Sequence, residues 1–209
     1  VAAAQIGQSE ILNGRLATPG LFDAHAHTFM TGFSLLEVDV TAPGVASIAD
    51  IRERIAARAR QTAAGDWIVG QGYDQASLDE QRHPNRHDLD AAAPDHPVAI
   101  WRSCHHIMAV NSKALQLAGI DRNTPDPDGG TIDRDEHGEP TGVLRESATG
   151  LIQAVQPEPS QRQIEEAILA GGREFVRHGV VAVGEAGIRT NTELRAYQTV
   201  WRDGTLPVR

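Results

Sequence analysis

Two histidines one residue apart are the side chains of this sequence best suited to chemistry. His25 and His27 lie in the short run "LFDAHAH", which follows a Thr-Pro-Gly turn signal and is typical of a buried strand. Side chains alternate across a strand, so Asp23 and both histidines are predicted to share one face. Two imidazoles projecting in parallel make half of a metal site. The alternative is a pair of ordinary core or surface histidines, which the nine histidines of the chain make more common.

The other histidines and the single cysteine carry weaker signals. One cysteine, Cys104, excludes an intrachain disulfide. If "VAIWRSCHH" is a strand, Cys104 and His106 share a face and His105 does not, and a small buried thiol is favoured over a nucleophile. The histidines in predicted loops or at helix ends are expected to be surface residues: His83, His87, His96, His137 and His178.

The elements that position these residues are predicted strands and helices that alternate along the chain. Long helices are predicted at residues 48–64 and 161–178, beginning at capping boxes that start with Ser47 and Ser160. Strands are predicted in "DWIVGQGYD", "VAIWRS" and "GVVAVGEAG". This alternation favours a parallel α/β sheet, and the hairpin character of "GTIDRDEHGEPTGVLRE" indicates an insertion.

Composition limits the classes of partner. The net charge is −9 over 209 residues, with no basic stripe, which disfavours a nucleic acid or an anionic membrane. No apolar run approaches the ~20 residues of a membrane span, and the N-terminal residues do not resemble a signal peptide. We expect a cytoplasmic protein. The chain starts at Val1 and stops at "GTLPVR", and we expect both ends to be cut.

Five ordered blocks carry a family resemblance. They are "PGLFDAHAH", "GDWIVGQGYD", "APDHPVAIWRSCHHIMAVNSKALQLAGI", "DGGTIDRDEHGEPTGVLRE" and "HGVVAVGEAG". In this order they resemble family 3 of the amidohydrolase superfamily, the branch that includes N-substituted formamide deformylases.

The resemblance implies an α/β fold, an incomplete TIM-type (β/α)8 barrel of a metal-dependent hydrolase with an inserted α+β segment. Residues 1–17 would be the remnant of an N-terminal β-sandwich, and residues 18–209 the first part of the barrel, with the insertion at about 66–146. A full barrel takes about 250 residues, so three or four barrel strands are expected here.

The resemblance also implies roles for individual residues. His25 and His27 would bind a divalent metal, expected to be zinc, and Asp23 would contact and orient an imidazole. The family's later ligands are a lysine, two histidines and an aspartate, and their motifs are not found in this sequence. Its one lysine, Lys113, falls in the "NSKAL" block and does not match the metal lysine.

Three further residues are expected to bind substrate: Tyr73, His106 and Glu146. His106 precedes the "NS" helix and Glu146 ends "TGVLRE", positions that face the site in the family. The alternatives are a core histidine with satisfied hydrogen bonds and a glutamate placed to favour a helix N-terminus. The catalytic acid or base is not identified.

The predicted function is hydrolysis of C–N bonds, amide or N-formyl, by metal-activated water, represented here by an N-terminal fragment. The alternative is a non-catalytic fragment or split-gene product that keeps part of the fold without productive metal binding. The expected partner is a small-molecule substrate. A part-built barrel exposes strand edges and apolar faces, so we expect the chain to form a homo-oligomer or to be unstable.

Overall fold

The computed structural model describes residues 18–209. The predictions for residues 1–17 lie outside the described residues. The strands are β1 Leu21–Ala26, β2 Val38–Asp39, β3 Ile68–Tyr73, β4 Val98–Arg102, β5 Ile107–Val110, β6 Gly130–Arg134, β7 Pro140–Glu146 and β8 Val180–Glu185. The α-helices are α1 Thr28–Leu36, α2 Ile48–Ala59, α3 Arg86–Ala92, α4 Ser112–Leu117, α5 Thr149–Gln153, α6 Gln161–Arg177 and α7 Asn191–Arg202.

The smaller sheet pairs β1 with β8 in parallel, with Ala26 opposite Glu185 at its C-terminal end. Arg209 extends this ladder, because its N–H donates to the Val181 carbonyl and its carbonyl accepts from Val183, both at 2.9 Å. The expected three or four barrel strands stay a prediction. Among the described residues the smaller sheet has two strands, because β2 pairs with β3, and β3 with β4, in a different sheet.

The larger sheet has six strands in the order β2-β3-β4-β5-β7-β6. The first three run parallel, and β5, β7 and β6 join them through antiparallel pairs. The predicted hairpin is confirmed as β6 and β7, with Ile132 opposite Leu144. The sheet includes residues as early as Val38, and the predicted insertion limits of 66 and 146 stay a prediction. The result is a mixed α/β fold.

Capping boxes begin both long helices where the sequence predicted them. Ser47 accepts from Asp50 N–H in α2, and Ser160 accepts from Gln163 N–H in α6. Helix α2 ends at Ala59, earlier than predicted, because residues after Arg60 form turns such as Gln61 N–H to the Arg58 carbonyl.

Helices α1, α6 and α7 share a core that contains Phe29, Ile164, Ile168, Ala196 and Val200, and α6 also contacts β8 of the smaller sheet. Helices α1 and α6 touch backbone to backbone. A Cβ on Gly32 would lie 1.7 Å from the Ala167 carbonyl oxygen, and one on Gly171 would lie 2.1 Å from that of Thr28. This close approach fixes the N-terminus of α1, where the histidine pair sits.

Candidate metal centre

The two histidines lie side by side where β1 passes into α1. Their rings are 5.3 Å apart between centroids and nearly perpendicular, at 89°. His25 is exposed next to the end of the strand, and His27 is the N-cap residue of α1 without capping the helix by its side chain. The chain therefore turns immediately after the pair, which leaves both imidazoles at the C-terminal end of β1.

The spacing of the rings suits one bound ion. Two imidazoles bound at ~2.1 Å to one tetrahedral zinc ion place their ring centres about 5 Å apart, close to the observed separation. Within residues 18–209, no group of three or more His, Cys, Asp or Glu side chains is placed to hold a metal ion. The two imidazoles are fewer than the three or so protein ligands that a catalytic zinc ion uses.

Glu185 is the residue of this site that the sequence did not predict. It ends β8 opposite Ala26, and its side chain is only 11% exposed. Its Oε2 accepts hydrogen bonds from Thr28 N–H at 2.7 Å and from the Tyr197 hydroxyl, and its Oε1 accepts from Gly187 N–H at 3.0 Å. Its only signal in the sequence was an acidic residue near the end of the predicted strand "GVVAVGEAG".

This carboxylate faces the inner edge of His27. Oε1 lies 3.6 Å from His27 Nδ1, an atom that is buried and has no hydrogen-bond partner among the described residues. Gly187 closes the same space, because a Cβ there would lie 2.8 Å from Nδ1. The ring's exposed part is therefore the opposite edge, which carries Nε2.

Tyr197 supports the carboxylate from α7. Burial, followed by the hydrogen bond and negative charge of Glu185, raises the pKa of Tyr197 well above its ordinary value. The phenol therefore stays protonated and remains a donor to Glu185 at any pH near neutral.

Asp23 makes a different contact from the one expected. Its Oδ1 accepts from the backbone N–H of His25 at 3.0 Å. This bond fixes the end of β1, and the predicted contact of Asp23 with an imidazole stays a prediction.

His106 and Glu146, both predicted to bind substrate, contact each other in the six-stranded sheet. His106 Nδ1 lies 2.8 Å from Glu146 Oε2, and both side chains are more than half exposed. Glu146 N–H also donates to the His106 carbonyl at 2.7 Å, while Glu146 itself has a positive φ of 51°. The hydrogen bond and charge of Glu146 raise the pKa of His106. The sequence predicted the two residues but not their pairing.

Tyr73 lies in the core of the larger sheet. Its side chain is fully buried, its hydroxyl is 3.1 Å from His83 Nδ1, and burial raises its pKa. This position places its ring away from solvent. The substrate contact of Tyr73 is not tested by these contacts and stays a prediction.

Two predictions of exposure were wrong. Cys104 is exposed, because β4 ends at Arg102 and the thiol sits in the turn to β5. His96 is buried at 6% exposure, because the loop before β4 folds inward and its Nδ1 lies 3.1 Å from the Asp66 carbonyl oxygen.

A family model described as "Amidohydrolase family" matches residues 12–209. The chain belongs to the amidohydrolase family.

One relative of this chain is YtcJ of Bacillus subtilis (strain 168), which is named as an amidohydrolase. The two sequences are 37% identical over 95% of this chain and 38% of the length of YtcJ. The N-substituted formamide deformylase of Arthrobacter pascens is 31% identical over 99% of this chain and 39% of its own. A crystal structure of an uncharacterized metal-dependent hydrolase from Pyrococcus horikoshii OT3 superposes with a TM-score of 0.67 and 29% identity.

The chain spans less than two fifths of the length of these relatives. The structural match covers 91% of this chain but 35% of the Pyrococcus horikoshii chain. Across residues 18–209, no helix is long and apolar enough to cross a membrane.

Proposed function

We propose that this chain carries the first metal-binding strand of a metal-dependent hydrolase that cleaves C–N bonds of amides or N-formyl groups. The observation that carries the proposal is the paired His25 and His27 at the C-terminal end of β1, with rings 5.3 Å apart. Membership of the amidohydrolase family supports it.

We propose that β1 and β8 are consecutive strands of a TIM-type barrel. Their parallel pairing and the contact of α6 with β8 support this interpretation. In such barrels the active site lies at the C-terminal ends of the strands, which is where His25, His27 and Glu185 lie.

The metal we propose is zinc, because imidazole nitrogen is one of its preferred ligands. A divalent cation held by His25 and His27 would supply Lewis-acid chemistry, polarising the substrate carbonyl and lowering the pKa of water. The chain's own residues position that ion: the two imidazoles bind it, and the buried Glu185 orients the His27 ring.

The exposed His106–Glu146 pair is our proposed substrate contact. The carboxylate keeps a proton on His106 Nδ1 and leaves the other ring nitrogen free to bond to a polar group of the substrate. An amide or formamide offers a carbonyl oxygen and, unless its nitrogen carries two substituents, an N–H, so a single imidazole can bond to either.

The substrate class is a small molecule with an amide or N-formyl group. The name of the Arthrobacter pascens relative, a deformylase of N-substituted formamides, favours the formyl group as the first to test. Hydrolysis would consume water and release formate, or another carboxylate, together with an amine.

The test is an assay of the zinc-loaded protein produced from the whole gene. Formate release from N-substituted formamides and amine release from simple amides would be followed with and without a chelator. We expect activity that the chelator removes and that His27→Ala lowers at least about 100-fold, since misplacing the metal affects the transition state directly. A matched control, His137→Ala in the β6–β7 turn, should retain activity. Full activity in His27→Ala, or after metal removal, would contradict the proposal.

A further inference from the structure

We infer that Glu185 is a positioning residue that holds His27 as its Nδ1–H tautomer and so presents Nε2 to the metal. This inference rests on the proposed function for the identity of the bound group. The tautomer itself belongs to the chain and can be measured without metal.

The donors around Glu185 fix its orientation. Thr28 N–H and the Tyr197 hydroxyl both donate to Oε2, and Gly187 N–H donates to Oε1. A carboxylate has about four lone-pair sites, so Oε1 keeps one site free on the side of His27. Thr28 N–H belongs to the first turn of α1, whose dipole also favours a negative charge there.

The surroundings of His27 assign the two ring nitrogens. Nδ1 is buried, has no partner among the described residues, and has the Glu185 carboxylate 3.6 Å away. An ionised carboxylate can only accept, so a proton on Nδ1 is the one arrangement in which the two groups attract. Nε2 then carries the lone pair, as a metal ligand must.

The separation of 3.6 Å is longer than a hydrogen bond. The inference therefore requires a small rotation of the His27 ring that brings Nδ1–H toward Oε1. The ring makes no side-chain capping bond to α1 that such a rotation would break.

Glu185→Gln reverses the predicted polarity of the contact. Thr28 N–H and the Tyr197 hydroxyl at the Oε2 position outnumber the single donor at Oε1 and hold the amide oxygen there. The amide NH₂ then takes the place of Oε1, loses the bond from Gly187 N–H and points at His27 Nδ1. Nδ1 then accepts, the proton moves to Nε2, and the lone pair needed for the metal is lost. The matched control is Glu166→Gln on the exposed face of α6. Among residues 18–209, the side chain of Glu166 pairs only with Arg162.

The measurement is long-range ¹H–¹⁵N correlation of the histidine rings in the metal-free chain at about pH 8.5, where imidazoles are neutral. The His27 signals are assigned by their loss in His27→Asn. We expect the Nδ1–H tautomer in wild type and Glu166→Gln, and a shift to the Nε2–H tautomer in Glu185→Gln. Zinc affinity, measured by titration, should fall about 10- to 100-fold in Glu185→Gln.

A wild-type His27 that is mainly Nε2–H would overturn the inference, and this result needs no variant to fold. Equal tautomer populations or equal zinc affinities in wild type and a folded Glu185→Gln would also overturn it. If the tautomer shifts as expected but neither protein binds zinc, the positioning role stands and the proposed function fails.

Discussion

The candidate metal centre contains residues that could be predicted from the sequence and one that could not. The pair His25 and His27 could be predicted, because the alternation of a strand brings residues two apart to one face. Glu185 could not, because it reaches His27 only through the parallel register that sets Ala26 opposite Glu185. The His106–Glu146 contact likewise depends on β5 pairing with β7.

Gly187 gives a prediction at this scale. We expect Gly187→Ala to lower zinc affinity about tenfold or more, because the new Cβ would meet His27 Nδ1 at 2.8 Å and turn the ring. The free energy of unfolding should change little, since the ring can move toward solvent. Zinc titration and urea unfolding measure the two effects, and unchanged zinc affinity would contradict the proposed position of the ring.

At the scale of elements, helix α1 could not be predicted from its hydrophobic pattern. Its sequence "TFMTGFSLL" is apolar at most positions, so it lacks the polar face that distinguishes a surface helix from a buried strand. Helices α2 and α6 could be predicted because capping boxes and spaced isoleucines mark them. What decides α1 is its close packing on α6, which a single sequence does not display.

Gly32 tests that packing. We expect Gly32→Ala to destabilise the fold by at least about 1–3 kcal/mol, the usual cost of overpacking, because its Cβ would overlap the Ala167 carbonyl. Gly150→Ala is the matched control, a helical glycine whose Cβ would meet nothing within 4 Å. The free energy of unfolding of both variants in urea measures the difference. Equal stability of the two variants would show that α1 and α6 do not approach as described.

Glu37, which follows α1, predicts a pH dependence. Burial raises its pKa from 4.5 to about 7, although Arg58 acts in the opposite direction. The folded state therefore binds this proton more tightly than the unfolded state, and the stabilisation is present below about pH 4.5 and is lost as pH rises through about 7.

We expect Glu37→Gln, which stays uncharged, to match wild type at about pH 5 and to be more stable at about pH 8.5. Urea unfolding at the two pH values measures the difference. The same stability difference at both values would show that Glu37 is not buried as described.

At the scale of the molecule, the ordered sequence blocks predicted the family and the α/β character, and both are confirmed. The assignment of strands to sheets could not be predicted, because a strand pattern does not name its neighbours. Thus β2, only two residues long, joins β3 in the six-stranded sheet and not β1.

Apolar side chains on the smaller sheet and its helices lead to a prediction about association. Phe22 and Trp201 are 66% and 71% exposed, and such surfaces favour self-association. Sedimentation of the 209-residue chain should show species larger than the monomer. Phe22→Lys should reduce them, whereas Leu117→Lys, an exposed leucine of α4, should not. A monomer at every concentration would contradict this expectation.

The central claim is that His25 and His27 together hold a divalent metal, and zinc binding to the purified chain tests it most directly. Equilibrium dialysis would compare wild type, His25→Ala, His27→Ala and a control, His178→Ala, whose ring contacts Glu174 on the surface. We predict one zinc ion per chain in wild type and control, bound far more weakly than the ~10–16 kcal/mol of a four-ligand site, and its loss in each of the other variants. Zinc retained by His25→Ala and His27→Ala at wild-type affinity would contradict the account.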